Sequence, residues 1–207
     1  MKYPFVFFFF SAVMVSKIGA VIPVVPLPQV VMVQRGYFQL APTVTIGLAV
    51  PDTTALTAGL AELREAISVY TGGTAGIVQN GDAALWIGLP DCDPPFDQLC
   101  RQGGSWPDTR IGSQGYVLVI ARDQIRLAAQ EQAGLFYGIQ TLVQLLRNSD
   151  DSRLSCMTIV DWPELAWRGI MDDISRGPVP TTPFVKQQIR RCAELKLNLL
   201  TYYTENI

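Results

Sequence analysis

Trp167-Arg-Gly-Ile-Met-Asp-Asp-Ile-Ser-Arg176 is the stretch on which the fold turns. It is apolar in the middle, opens on Arg168-Gly169 and runs out into Ser175-Arg176-Gly177-Pro178. The middle predicts a short buried strand, and the polar end predicts the loop that leaves it. A helical pattern follows from Thr182 to Lys196, then a second apolar run from Leu197 to Tyr203. Strand, helix and strand within about 37 residues make a βαβ unit, the building block of a parallel sheet or barrel. In such units function gathers at the carboxyl ends of the strands. That rule puts forward Arg176 and Glu205. Asp172 and Asp173 are adjacent on a strand and so point to opposite faces, which speaks against joint acid–base work.

Working back from that unit, residues 21–160 predict a separate α+β domain. Val21 to Pro28 is a Pro-rich leader. Short strands are expected at Val30–Val33, Tyr37–Leu40, Thr43–Val50, Leu85–Leu89 and Leu154–Val160. Gly115–Ala121 and Gln124–Ala129 make a central hairpin around Arg122-Asp123. A helix is expected from Thr53 to Tyr70, with Asp52 before it and Gly72-Gly73 as its stop. Leu56, Leu60, Leu63 and Ile67 form its apolar face. A phosphate loop at Gly72-Gly73-Thr74-Ala75-Gly76 would need a Lys-Ser/Thr that is missing. The second helix, Glu131 to Arg147, carries Leu135, Ile139, Leu142 and Leu146 on one stripe. Gly134 and Gly138 lie four apart on it and imply close approach to the sheet, because glycine inside a helix costs about 1 kcal/mol relative to alanine. The expected sheet is mostly antiparallel, with two helices on one face and the other face free to pack against the βαβ unit. Pro90 to Ser113 reads as loop, and Trp106 within it is either a sugar-stacking platform or local packing.

Composition narrows function. Net charge is −2 and no basic run occurs, so nucleic acid is not an expected partner. The chain has no histidine, which removes His triads and His metal sites from it. No C-x-x-C spacing is present, and no metal or cofactor is expected. Met1-Lys2, the apolar Tyr3–Val15 and the small Ala20 read as a signal peptide over residues 1–20. Ile18 is bulky for its place before the cut, and an anchor or a buried strand are the alternatives. Once the signal is removed, no membrane span is expected, and the protein would be secreted or periplasmic. Export permits disulfides. Cys92 and Cys100 flank one Pro/Asp-rich loop and are the expected pair; the alternative is four unpaired thiols, two of them buried.

Two motifs carry a resemblance. One is Gly115-Tyr-Val-Leu-Val-Ile with Ile125-Arg-Leu, Ala133-Gly-Leu-Phe-Tyr-Gly-Ile-Gln-Thr-Leu142 and Gln144-Leu145-Leu146. The other is Asp161-Trp-Pro, Trp167-Arg-Gly with Asp173-Ile-Ser-Arg176, and Lys196-Leu-Asn198. Together they resemble the front of a glycoside hydrolase family 20 enzyme, a β-N-acetylhexosaminidase: its small α+β domain, then the first β-α-β of its (β/α)8 barrel in residues 161–207. The resemblance implies terminal β-linked N-acetylhexosamine glycans as substrate. It also implies a retaining, substrate-assisted route in which the acetamido oxygen attacks the anomeric carbon. The family's Asp-Glu catalytic pair follows the fourth barrel strand, so no catalytic residue is expected in this chain. Arg176 matches the arginine that holds sugar hydroxyls, Asp173 matches a strand-one aspartate with a structural role, and Glu205 stands near a family acid.

The sequence departs from the family at Gly177, where a histidine is common, and at Thr201-Tyr-Tyr-Thr-Glu-Asn206, where His-Trp-His and Asp-Asp are common. Two strands cannot close a barrel, so the chain is expected to be the front part of a longer protein or a truncated product, inactive alone. The competing readings are a non-catalytic carbohydrate-binding or interaction module, and the front of an α-glucuronidase or O-GlcNAc hydrolase with the same first domain.

Overall fold

A computed structural model describes residues 22–78, 83–149 and 152–205. The expected signal peptide at 1–20 lies outside the described residues. Seven strands form one sheet: β1 (Val30–Gln39), β2 (Thr43–Ala49), β3 (Thr74–Val78), β4 (Leu85–Gly88), β5 (Tyr116–Ile120), β6 (Ile125–Ala129) and β7 (Arg153–Asp161). Their order is β1-β7-β5-β6-β4-β2-β3. The sheet is mixed, not mostly antiparallel. The β1–β7, β7–β5 and β5–β6 pairs are antiparallel, whereas β6–β4, β4–β2 and β2–β3 are parallel. The reason is a crossover: helix α1 (Thr57–Thr71) carries the chain back so that β3 runs alongside β2. The expected reading stopped at the glycines and missed β3.

Local chemistry explains the element ends. Asp52 accepts from the Thr54 amide and hydroxyl at the short 3-10 turn that leads into α1. Gly72 ends α1 with a left-handed φ of 67°, a conformation that costs glycine least. The two predicted pieces of the first strand are one strand, with an irregular register between Val33 and Tyr37. Helix α3 (Gln132–Arg147) starts after Glu131 and buries twelve residues. A Cβ on Gly134 would lie 2.1 Å from the Gly115 carbonyl oxygen, and one on Gly138 would lie 2.2 Å from Leu127 Cδ1. The two glycines therefore let α3 settle onto β5 and β6, as their spacing implied.

One core lies between the sheet and the pair α1 and α3, with Leu118, Ile120, Leu127, Leu135, Ile139 and Ile159 among its buried residues. The sheet's other face is not left free for the βαβ unit. The segment read as loop contains a helix, α2 (Pro94–Gln102), whose Phe96 and Cys100 pack with Trp86 and Ala128 on that face. Asp93 caps α2 by accepting from the Phe96 amide at 2.8 Å, and prolines occupy its first turn.

The expected Cys92–Cys100 disulfide is not formed, and all four cysteines are free. Cys92 is exposed ahead of the cap, while Cys100 lies within α2 on its buried side. Burial raises the Cys100 thiol pKa.

The βαβ unit is β8 (Gly169–Asp173), α4 (Thr182–Glu194) and β9 (Leu199–Tyr203). β8 and β9 pair in parallel as a separate two-stranded sheet, with Asp173 opposite Tyr203. Thr181 stands at the N-cap of α4, and Pro183 falls in its first turn. Among the described residues no helix is long and apolar enough to cross a membrane.

Candidate functional site

The carboxyl ends of β8 and β9 lie side by side because the strands are parallel and in register. Alternation divides their side chains. Asp172 faces α4, where Gln188 donates to its Oδ2 at 2.9 Å and accepts from the Tyr202 hydroxyl. Gln188 thus ties both strands to the helix. Asp173 faces away from α4 and accepts from the Ser175 amide at 2.9 Å and from its hydroxyl at 2.5 Å. Those bonds, the hydroxyl first, hold its pKa below the ordinary value. Asp173 therefore turns the chain at the strand end, a local role the Asp-x-Ser spacing allows. Arg176, directly after that turn, is exposed and has no bonding partner among the described residues. Glu205 lies just past β9 and accepts from the Tyr203 hydroxyl at 2.6 Å, which raises the tyrosine pKa. This pole offers an open guanidinium, a hydroxyl and a carboxylate. That set can hold a hydroxylated ligand through donors and acceptors.

A second constellation joins the βαβ unit to the first sheet. Lys196 Nζ donates to Asp161 Oδ2 at 2.8 Å and to the Tyr116 hydroxyl at 3.0 Å. The Tyr116 hydroxyl also bonds Asp161 Oδ2 at 3.0 Å and Thr141 Oγ1 at 2.6 Å. Lys196 is 5% exposed. Burial lowers its pKa and the Asp161 charge opposes that; for Tyr116, burial first and Asp161 next push the pKa well above the ordinary value.

The backbone there is informative. The Leu197 amide bonds the Cys192 carbonyl and the Lys196 amide bonds the Ala193 carbonyl, the paired closure that ends a helix with a left-handed residue. Lys196 fills the glycine place at φ 58°, which costs a side-chain-bearing residue roughly 1–2 kcal/mol. Its ammonium, closed into the Asp161–Tyr116 pair, is what a glycine could not supply.

Arg168 completes the joint. It donates to the Lys196 carbonyl at 3.0 Å and to Gln114 Oε1 at 2.9 Å, with its guanidinium 5.2 Å from the Tyr137 ring centre. Asn198 accepts from the Arg168 amide and donates to the Ala166 carbonyl, both at 2.8 Å. Gln144 of α3 donates to the Glu194 carbonyl and pairs with both backbone groups of Val25. Asp161, Lys196, Asn198 and Gln144 stand inside the two motifs, where no local pattern assigns them this task. A lysine in place of a glycine just past the last helical turn was the available signal.

Comparison with known proteins agrees with this architecture. The family model described as glycosyl hydrolase family 20, domain 2, matches residues 21–162. The β subunit of β-hexosaminidase from Entamoeba histolytica is 32% identical over 99 residues, covering 46% of this chain and 17% of that protein. β-Hexosaminidase B from Pseudoalteromonas piscicida is 33% identical over 88 residues, covering 42% of this chain and 11% of that protein. The solved structure of Streptomyces plicatus N-acetyl-β-hexosaminidase bound to Thio-NAglucal superposes with a TM-score of 0.68 at 25% identity, over 88% of this chain and 34% of that one. The chain thus spans a fifth or less of the two curated relatives and about a third of the solved chain. With the family match over most of its length and the shared architecture, the chain belongs to glycoside hydrolase family 20.

Proposed function

We propose that this chain is the front part of an exported β-N-acetylhexosaminidase that removes terminal β-linked N-acetylhexosamines by the substrate-assisted retaining route. The observation that carries the reading is the carboxyl end of the β8–β9 pair, where Asp173 lies opposite Tyr203, Tyr203 bonds Glu205, and the Asp173–Ser175 turn is followed by an exposed Arg176 with no bonding partner among the described residues. A guanidinium presents a planar fork of donors that suits vicinal hydroxyls. In this reading Arg176 holds sugar hydroxyls, Glu205 accepts from them, and Asp173 positions the loop. The names of the matched relatives support the substrate class.

The acid and the acetamido-orienting carboxylate come from barrel strands beyond β9. Support for further strands is physical: Met171 is 71% exposed on the face of β8 turned away from α4. A closed barrel would bury that side chain among layers from the other strands. The expected export rests on residues 1–20 serving as the signal.

The test is turnover of an aryl N-acetyl-β-glucosaminide by a chain carrying the remaining barrel strands, by its Arg176→Ala variant and by the 207-residue chain alone. The expected result is turnover in the first, a loss of about 10²-fold or more in kcat/KM in the second, and none in the third. Turnover insensitive to Arg176→Ala would remove that residue from the site. Turnover by the chain alone would overturn the placement of the carboxylates.

A further inference from the structure

The sheet face opposite α1 and α3 holds a cavity of about 450 Å³ beside the part that α2 covers. Its floor is Val117 of β5 and Val160 of β7. Trp106 and Trp162 are half-buried and form apolar walls, and Asp108 and Arg110 stand at the rim. The size falls in the lower half of the 300–1,000 Å³ range typical of small-molecule pockets.

The walls are held in place without a ligand. The Arg101 guanidinium lies 3.5 Å from the Trp106 ring centre. Ser105 and Pro107, the neighbours of Trp106, are fixed by the Ser105 amide to the Cys100 carbonyl and by Gln130 to the Pro107 carbonyl. Gln29 donates to the Trp162 carbonyl at 3.3 Å. Asp108 accepts from the Arg110 amide at 2.8 Å and from its guanidinium at 3.0 and 2.7 Å. Rigid groups lose less entropy when they bind.

The chemistry selects a ligand class. Asp108 and Arg110 neutralise each other, so these two rim residues offer no net charge to attract a phosphate or a carboxylate, and the Arg101 charge lies against the Trp106 ring, outside the residues that line the cavity. The rim still presents free guanidinium donors and carboxylate lone pairs. Flat indole surface over an apolar floor, with a neutral polar rim, matches a pyranose ring: its CH face is apolar and its edge is a ring of hydroxyls. We propose that this groove is a carbohydrate subsite that binds a neutral β-linked N-acetylglucosamine oligosaccharide, with a sugar ring against the indoles and its acetamido methyl toward Val117 and Val160. The pyranose class rests on the groove alone, whereas the choice of sugar rests on the hexosaminidase reading.

The test tracks the indole N–H resonances of Trp86, Trp106, Trp162 and Trp167 in the 207-residue chain as N,N′-diacetylchitobiose is added. The expected result is saturable shifts at Trp106 and Trp162, with Trp86 and Trp167 still. Trp106→Ala should weaken binding about tenfold. Arg110→Ala, at a side chain 87% exposed, should weaken it several-fold without changing the thermal midpoint, and Arg176→Ala should leave it intact. No saturable shift at the two groove indoles by about 20 mM sugar overturns the proposal. So does binding lost in Arg176→Ala and kept in Arg110→Ala, which would place the sugar at the β8–β9 pole. A matching response to inorganic phosphate would overturn the neutral-ligand argument. None of these results alters the outcome of the turnover experiment.

Discussion

Helices α3 and α4 are of similar length and each carries an apolar stripe after a strand, yet they meet different surroundings. α3 buries twelve of its sixteen residues; α4, of thirteen, buries Cys192 alone. On α4, Ile189 is 53% exposed and Phe184 49%. The stripe of α3 meets a seven-stranded sheet and α1, whereas the stripe of α4 meets two strands. An amphipathic pattern states which face seeks cover and says nothing about how much cover exists. The comparison breaks most directly by truncation. Leu135→Ala, fully buried in α3, should cost about 2–5 kcal/mol. Ile189→Ala on α4 should fall within about 0.5 kcal/mol, as surface changes do. Both are read by denaturant unfolding. Equal losses would mean that the α4 face is covered.

The joint between the two regions sharpens the contrast, because there Lys196 brings the βαβ unit into burial as deep as that of the first core. Lys196→Met removes the cation and leaves Asp161 facing Tyr116 unpaired. Breaking a buried pair on one side costs about 3–5 kcal/mol; the low end is expected here, because the Asp161 side chain retains 13% of its exposure. Lys196→Gly relieves the left-handed backbone and should still be destabilising, which separates the ammonium from the backbone strain.

The joint also sets a pH dependence of definite sign. The folded-state pKa of Tyr116 is raised, so its contribution is fully present below the ordinary value of 10 and is lost as pH climbs from there toward the folded value. Lys196 is lowered, so its contribution rises with pH up to its ordinary 10.5. Above 10.5 the tyrosine acts alone. Stability should fall there, and Tyr116→Phe should flatten the fall. A Tyr116→Phe profile parallel to the parent would show that the hydroxyl is not buried with Asp161.

Much of this was legible in the sequence. The α3 stripe, the glycine pair, the central hairpin and the βαβ unit are short-range patterns whose period or spacing states the structure. Arg176 and Glu205 were placed at strand ends by that same local reading. Three things were not legible, each for its own reason. β3 is five residues, Thr74–Val78, with a glycine at its centre, which weakens a strand signal. α2 lies in a Pro/Asp-rich stretch that looks like loop, although Asp93-Pro94-Pro95 is a cap followed by a proline start. The joint of Tyr116, Asp161 and Lys196 spans 80 residues between its ends, and no local pattern pairs residues that far apart. Sheet direction was misjudged although Thr43–Val50, the Thr53–Tyr70 helix and Leu85–Leu89 already form a strand-helix-strand crossover, and the strands it joins run parallel in the structure.

The smallest expected effect tests the strand end on which the site rests. Ser175→Ala removes the hydroxyl that contributes most to lowering the Asp173 pKa and leaves the Ser175 amide bond. The Asp173 pKa should move up toward 3.8 without reaching it, read by a carboxyl-carbon NMR titration. With a lowered folded-state value, Asp173 favours the folded turn above 3.8, and that preference disappears as pH falls through its folded value. The loop should therefore loosen as pH falls through that value. Ser175→Ala should bring that loosening to a higher pH and leave global unfolding unchanged. If Asp173 titrates identically in both proteins, the turn is held by something other than Ser175, and the Asp-x-Ser spacing is not what positions Arg176.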